Sequence, residues 1–231
     1  MKITIIGNGR FGTYLASQLE LVSLHPKLLG ETNPKTVEGS DVVIFCVPIR
    51  AFQDCFASYA PFFKPGTTVM DTCSVKSHPC KVMHNTPGIR MGVNLVGCHP
   101  LFGPQSAPIS CAGQKTAICP LQGDFGPAVE LWEKTLKTTP VLCTPKQHDK
   151  QMGTQLLNHF IGRSGQAANI RRVELSTKTH ELFMDIQDIV CGNSRELFED
   201  LNVFNPYAKA AREHFLKEAQ LLHKKLSHLQ P

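Results

Sequence analysis

Short apolar runs alternate with stretches of helical periodicity through the first 143 residues, and glycine or proline marks most of the changes. Strand-like runs fall at residues 2–6, 41–47, 67–71, 94–97, 116–119 and 139–142. This alternation indicates an α/β fold with a doubly wound parallel sheet. The intervening pieces predict a first helix from Phe11 to about Leu24 and a helical segment around residues 51–62. A further helix is predicted over residues 123–137, with Val129, Trp132 and Leu136 at helical spacing. The second strand is poorly marked, and Lys27-Leu28-Leu29-Gly30-Glu31 is the candidate for it.

From Thr144 onward the character changes, and no convincing strand follows. Thr144-Pro145 has the form of an N-cap followed by proline at the first helical position. Asn193-Ser-Arg-Glu196 reads as a capping box that opens another helix after a stop at Gly192. The last segment carries Ala208, Ala211, Phe215, Ala219, Leu222, Leu226 and Leu229 in a steady three/four-residue stripe. Such a stripe is buried against its own chain or against a partner subunit. Two domains are expected, a Rossmann-type one over residues 1–143 and a smaller all-α one over residues 144–231.

The most informative segment is Gly-Asn-Gly-Arg-Phe-Gly at residues 7–12, between the first strand-like run and the first helical one. In a dinucleotide-binding turn Gly7 allows a sharp exit from the strand. Gly9 leaves room for a pyrophosphate, and Gly12 allows the helix to pack close to the sheet. Phosphates would then meet the amide groups and the positive end of the helix dipole. Glu31 lies at the distance at which an acid holds the ribose 2′-hydroxyl of NAD. Thr32, Asn33, Lys35 and Arg10 form an alternative set for the 2′-phosphate of NADP, so both cofactors stay open.

Composition narrows the classes. Apolar residues make up 42% and charged ones 19%, as in ordinary globular chains with ample core. The net charge of +5 arises from scattered basic residues, which gives nucleic-acid binding little support. No stretch approaches the roughly eighteen apolar residues of a membrane helix, and the first apolar run is too short for a signal peptide. The nine cysteines are irregularly spaced and form no C-x-x-C pair, so they read as reduced thiols in a cytoplasmic protein without a metal site. Cys46, inside an apolar run, acts as a small hydrophobe.

Three polar segments lie where an α/β sheet places its ligands, at the carboxyl ends of strands. They are Asp71-Thr-Cys-Ser-Val-Lys76, Gly97-Cys-His-Pro-Leu-Phe-Gly-Pro104 and His148-Asp-Lys-Gln-Met152. Together with the glycine turn, Ser40–Ile49, Phe63–Lys76 and Thr144–Met152, they make the chain resemble the prephenate/arogenate dehydrogenase family of tyrosine biosynthesis. The resemblance implies a Rossmann domain followed by helices that dimerise, with the active site between the two. It implies NAD- or NADP-dependent oxidative decarboxylation of prephenate or arogenate. Hydride leaves the ring carbon bearing the hydroxyl, the ring carboxylate departs as carbon dioxide, and the ring becomes aromatic.

On that resemblance, His99 accepts the hydroxyl proton, a task suited to a neutral imidazole. Ser74 hydrogen-bonds the same hydroxyl near the nicotinamide. Gly7, Gly9, Arg10, Phe11, Gly12, Glu31, Cys46, Val47, Pro48 and Ser74 are the expected cofactor contacts. His148, Gln155 and His159, with Met152 on one helical face, are the expected substrate contacts beside His99. The family also grips a substrate carboxylate with an arginine of the helical domain, but this chain reads Ser-Thr-Lys-Thr-His-Glu-Leu at residues 176–182. Arg163, Arg171, Arg172, Lys178 and His180 are the possible substitutes. The competing readings are a related Rossmann reductase of another small acid and a non-catalytic dinucleotide-binding module.

Overall fold

The computed structural model describes residues 1–30 and 33–229, which form two compact units, Met1–His148 and a second from Asp149 onward. Glu31 and Thr32 lie outside the described residues. The division falls a few residues after position 143 because the first turn of the helix entered at Pro145 is bonded into the first unit through His148.

Seven strands form one sheet in the first unit: β1 (Ile3–Ile6), β2 (Lys27–Leu29), β3 (Val42–Phe45), β4 (Thr68–Asp71), β5 (Asn94–Pro100), β6 (Lys115–Gln122) and β7 (Thr139–Leu142). Their order is β2-β1-β3-β4-β5-β6-β7. The first five run parallel, whereas β6 runs antiparallel to β5 and β7 parallel to β6. The sheet is therefore mixed rather than wholly parallel. A parallel pair needs a crossover, usually a helix, and residues 101–114 between β5 and β6 contain none. That long loop is instead pinned to the first helix, α1 (Arg10–Glu20). The Tyr14 hydroxyl donates to Ala107 O at 2.7 Å, and the Cys111 amide donates to Gln18 Oε1 at 2.9 Å.

β1, β3 and β4 are buried at every position, which is why they read as apolar blocks. Alternate residues face opposite helical layers. Ile3, Ile5, Val42, Ile44, Met70, Val96 and Cys98 join Leu15, Leu19 and Trp132 in one core cluster. On the other face, Phe45 sits among four rings of α2 (Ile49–Tyr59) and the turn after it. Its ring centroid lies 5.8, 5.3, 5.7 and 6.3 Å from those of Phe52, Phe56, Tyr59 and Phe63.

β2 is short and largely exposed, but its end is tied in, because Gly7 N–H donates to Leu29 O at 2.8 Å. α1 stops before Leu24 because Ser23 turns left-handed at φ 61°. Leu24 N–H then bonds Leu19 O and Ser23 N–H bonds Glu20 O, a Schellman closure with serine in the usual glycine place. α3 (Ser77–Asn85) follows β4. The helix predicted over residues 123–137 is a single α turn, α4 (Gly126–Val129), continued as a π turn over Glu130–Thr135 that carries the buried Trp132.

The chain leaves β7 into α5 (Pro145–Gln155), whose start is a reciprocal capping box. Thr144 N–H donates to Gln147 Oε1 at 2.9 Å and Gln147 N–H donates to Thr144 Oγ1 at 3.2 Å. The second unit contains the rest of α5 and then α6 (Leu157–Ala167), α7 (Lys178–Cys191), α8 (Arg195–Phe204) and α9 (Ala208–Ser227). The helical run breaks at Leu156, so Gln155 ends one helix and His159 belongs to the next, contrary to the single face expected. Two glycines let α6 and α7 approach. A β-carbon at Gly162 would meet Val190 Cγ2 at 2.4 Å, and one at Gly165 would meet Gln187 Oε1 at 2.8 Å. The cap of α8 is Ser194, whose hydroxyl accepts from Leu197 N–H at 3.1 Å, not Asn193 as the box pattern suggested. The apolar stripe of α9 is covered at its start, where Ala208 is buried and Phe215 meets Phe160. Within this chain Leu222, Leu226 and Leu229 stay 57%, 52% and 72% exposed.

Removing the ring at the centre of the α2 face tests this packing. Phe45→Ala is expected to cost the first unit about 3–5 kcal/mol. The loss should appear as a lower urea midpoint at unchanged slope; an unchanged midpoint would show that the ring cluster does not hold α2 to the sheet.

Candidate active site

The carboxyl ends of β1, β3, β4 and β5 converge on one rim of the sheet, and the glycine turn forms its first part. Gly7 takes φ +107°, and a β-carbon there would lie 2.3 Å from Cys46 O. A β-carbon at Gly12 would lie 1.9 Å from Gly7 O, so α1 starts as close to the strand as backbone allows. Gly9, the N-cap of α1, differs: a β-carbon there would meet nothing. The helix has neither a side-chain cap nor an acid in its first turn, so its positive end faces open space.

Around this turn Arg10 and Pro48 are exposed, and Phe11, Cys46 and Val47 are partly buried. Cys46 N–H bonds Ile6 O at 2.7 Å, which extends the β1–β3 ladder by one step. Burial pushes the Cys46 thiol up to about 12, so it is an uncharged small group. All nine cysteines are free thiols. Among the described residues, no three His, Cys, Asp or Glu side chains gather as a metal site.

The next element of the rim is an ion pair between the two ends of the Asp71–Lys76 segment. Asp71 ends β4 and Lys76 lies in the turn before α3, and both side chains are fully buried in a salt bridge. β4 pairs with β5 up to Asp71 opposite Gly97, and then the chain turns away, with Thr72 N–H donating to Phe45 O at 3.0 Å. Cys98, the next residue of β5, is thereby left without a strand on that side. The two side chains take the strand's place. Asp71 Oδ1 accepts from Cys98 N–H at 3.2 Å, and Lys76 Nζ donates to Cys98 O. Asp71 Oδ2 also accepts from Cys73 N–H at 2.9 Å, which fixes the turn that carries Ser74. Burial alone would lower the Lys76 ammonium, but the Asp71 charge outweighs it and holds the group above the usual lysine range. Gly97 belongs to the same arrangement, since a β-carbon there would lie 2.5 Å from Cys80 Sγ.

His99 follows Cys98 and lies within β5, not in a loop, because pairing with β6 carries the strand past the end of β4, with His99 opposite Ala117. Its Nδ1 lies 2.8 Å from Nε2 of His148, with the rings at 70°. His148 is only 4% exposed, in the capped first turn of α5. Desolvation, then His148 and the Lys76 charge, hold His99 well below the usual histidine range. It is a neutral imidazole at physiological pH. Ser74 is partly buried in the turn after β4. The first unit thus contains the glycine turn, Ser74, His99 and His148, and one ring nitrogen of His148 is taken up by His99.

The chain is similar to the prephenate/arogenate dehydrogenase family. Residues 28–141 match the model described as prephenate dehydrogenase, nucleotide-binding domain, and residues 165–230 match the one described as TYRAAT1-like, C-terminal domain. The chain is 28% identical over 200 residues to a probable arogenate/prephenate dehydrogenase of Methanocaldococcus jannaschii, covering 81% of this chain and 44% of that protein. It is 25% identical over 237 residues to the chloroplastic arogenate dehydrogenase 2 of Arabidopsis thaliana, covering 90% of this chain and 65% of that one. It therefore spans less than two-thirds of the length of either curated relative. Two solved structures share the fold. Prephenate dehydrogenase from A. aeolicus, in complex with hydroxyphenyl propionate and NAD+, has a TM-score of 0.76 at 20% identity, covering 99% of this chain and 91% of that chain. Synechocystis arogenate dehydrogenase has a TM-score of 0.71 at 17% identity, covering 100% and 93%.

The second unit has cations of two kinds. Arg172 is committed to an exposed cluster with Glu181, Asp185 at 2.7 Å and Asp188 at 2.9 Å, and His180 Nε2 lies 3.1 Å from Arg171 O. Arg163 differs. Its guanidinium lies 4.9 Å from the Phe198 ring centroid and donates to Asn193 O at 2.7 Å, but its Nε is buried without a partner. One helical turn earlier, His159 Nδ1 is also buried and unpaired; burial and then Arg163 lower this imidazole. Gln155 is exposed at the end of α5. Among the described residues, no helix is long and apolar enough to cross a membrane.

Breaking one half of the buried ion pair leaves a charge without compensation. Lys76→Met is expected to destabilise the first unit by about 3–5 kcal/mol, whereas Asp71→Leu/Lys76→Met together should recover most of that loss. Because the folded ammonium titrates above the unfolded one, the ammonium's contribution is complete below roughly pH 10.4 and is lost only as pH rises through the folded value. Urea midpoints of the three proteins decide the matter: a single variant as stable as the parent excludes a structural role for the pair.

Proposed function

We propose that this chain is an NAD- or NADP-dependent dehydrogenase that oxidatively decarboxylates prephenate or arogenate, a step of tyrosine biosynthesis. The observation that carries the reading is His99, a partly buried neutral imidazole in a strand on the same rim as the glycine turn. Its environment keeps it able to accept a proton at physiological pH.

The residues present fit a dinucleotide. The open space at Gly9 and the uncapped start of α1 suit a pyrophosphate, with Gly7 and Gly12 holding the turn. Arg10, Phe11, Cys46, Val47, Pro48 and Ser74 are the remaining proposed contacts. When bound, the nicotinamide supplies the hydride acceptor. The protein's own part is at the substrate hydroxyl. His99 takes its proton as the carbon becomes a carbonyl, and Ser74 holds the oxygen by a hydrogen bond. Loss of the ring carboxylate as carbon dioxide then leaves an aromatic ring.

His148, Gln155 and His159 are the proposed substrate-binding residues. Arg163 is the cation whose buried, unpaired nitrogen suits a carboxylate in place of the arginine missing from residues 176–182. The exposed leucines of α9 support a homodimer formed through the C-terminal helices, and the free thiols fit a reducing, cytoplasmic setting.

The test is reduction of NAD or NADP in the presence of prephenate or arogenate, followed by absorbance. Turnover should fall in His99→Asn by about 10²–10⁴ in kcat/KM. Turnover with other hydroxyacids alone would shift the reading to another Rossmann reductase, and binding of dinucleotide with no turnover would make the chain a non-catalytic module. Since His99 loses its positive form early, kcat/KM of the parent should hold as pH falls towards 6.5 and decline only below roughly that value. An acid limb at or above 6.5 would exclude His99 as the base in this environment. Gly9→Glu should raise the dinucleotide Kd at least tenfold, by setting a carboxylate where a phosphate belongs. Because the new side chain meets open space, the urea midpoint should not change; an unchanged Kd would remove the phosphate from this turn.

A further inference from the structure

His99 and His148 share one hydrogen bond, and the direction of that bond decides what His99 can do. A neutral imidazole carries one proton on two nitrogens. If His148 Nε2–H donates, His99 Nδ1 is the acceptor and its own proton must sit on Nε2. The outer nitrogen then has no lone pair, and His99 cannot take a proton from a hydroxyl. If His99 Nδ1–H donates, His148 Nε2 is the acceptor and His99 Nε2 presents its lone pair outward. Only the second arrangement makes a base.

We infer that His148 is the positioning residue of this site: its Nε2 accepts from His99 Nδ1–H and thereby selects the tautomer of His99 that presents a bare Nε2. The inference rests on the dehydrogenase reading above and deepens it. The observations are geometric. The nitrogens are 2.8 Å apart, within hydrogen-bond distance, and the rings lie edge to face at 70°. Neither partner is free to drift. The Asp71 and Lys76 side chains fix Cys98 on one side of His99, and the Thr144–Gln147 capping box fixes the turn that carries His148.

The role goes beyond orientation. When His99 Nε2 takes the hydroxyl proton, the ring becomes an imidazolium, and its Nδ1–H bond to His148 becomes charge-assisted. That bond is stronger in the transition state than in the ground state, which is the condition for a contact to raise kcat rather than only tighten binding. In hydrolase triads a carboxylate fills this place and stabilises the imidazolium by its charge. An uncharged imidazole stabilises it less. Burial first, and then His148 and the Lys76 charge, keep His99 neutral well below the usual histidine range.

The proton positions are read directly by nitrogen NMR of histidine-labelled protein, with His99→Asn and His148→Gln to assign the two rings. The parent should show His99 protonated at Nδ1 and bare at Nε2. A proton on Nε2 would overturn the inference, and this reading needs no turnover, so it stands apart from failure of the dehydrogenase assignment. In the assay, His148→Gln keeps an acceptor for Nδ1–H and should recover most of the kcat that His148→Leu loses. His148→Leu removes the acceptor and should lower kcat by about 10- to 100-fold, beyond any rise in KM from the lost substrate contact, with dinucleotide Kd unchanged. Equal kcat in the parent and His148→Leu, or a loss expressed in KM alone, would also overturn it.

Discussion

The rim of the sheet depends on a pair of charges placed where a strand runs out. β4 ends at Asp71 while β5 continues, and a buried backbone amide and carbonyl at Cys98 would be orphaned at a cost of about 1–3 kcal/mol each. The Asp71 carboxylate and the Lys76 ammonium fill both positions from outside the ladder. Neither charge tolerates burial alone, so each requires the other, and the turn between them has little choice of path. Ser74 lies inside that turn and His99 directly after Cys98. One buried pair therefore sets the backbone positions of both chemical residues proposed for the site, and Gly97 is bare because Cys80 occupies the space beside it.

The antiparallel β6 has a related effect. In a wholly parallel sheet the residues after β5 would leave as a loop, and His99 would sit on mobile backbone. Here the ladder with β6 continues to Pro100, so the imidazole is on a strand paired to one side and braced by side chains on the other. The reversal itself follows from the connection. Residues 101–114 contain no helix to make a crossover, and Tyr14 and Gln18 of α1 hold that loop against the first layer.

How much of this was legible in the residues varies with the range of the cause. The glycine turn is local, and each glycine that requires a bare α-carbon does so for a contact within a few residues or with the adjacent strand. It was readable, as was the Thr144 cap. The blocks of β1, β3 and β4 were readable because burial on both faces leaves an apolar run. β2 was faint because only Leu29 is buried. The reversal of β6 was not readable, since strand direction leaves no mark in composition. Asp71 and Lys76 were visible as letters only: a charge pair five residues apart looks the same whether it is solvated or sealed in a sheet. The bond between His99 and His148 joins residues 49 apart in the chain, and no periodicity reports such a meeting. The helical face expected to carry His148 and His159 together failed for a smaller reason, the break at Leu156.

The helical unit uses its cations in two different ways. Arg172 is saturated by three exposed carboxylates, where solvent screening leaves such bonds worth little beyond local order. Arg163 has its guanidinium carbon 4.9 Å from the Phe198 ring centroid and donates at one end, and its buried Nε and the Nδ1 of His159 one turn away lack partners. Buried polar atoms without partners are rare in folded proteins because each carries an unrecovered desolvation cost. Two of them on one helical face are difficult to explain as packing alone, since Leu or Met at either position would fill the space without that cost. They are explained if an acceptor arrives with a ligand, and a carboxylate is the simplest group that would satisfy an arginine N–H and a neutral imidazole together. On the proposed reading Arg163 of α6 takes the carboxylate in place of an arginine at residues 176–182.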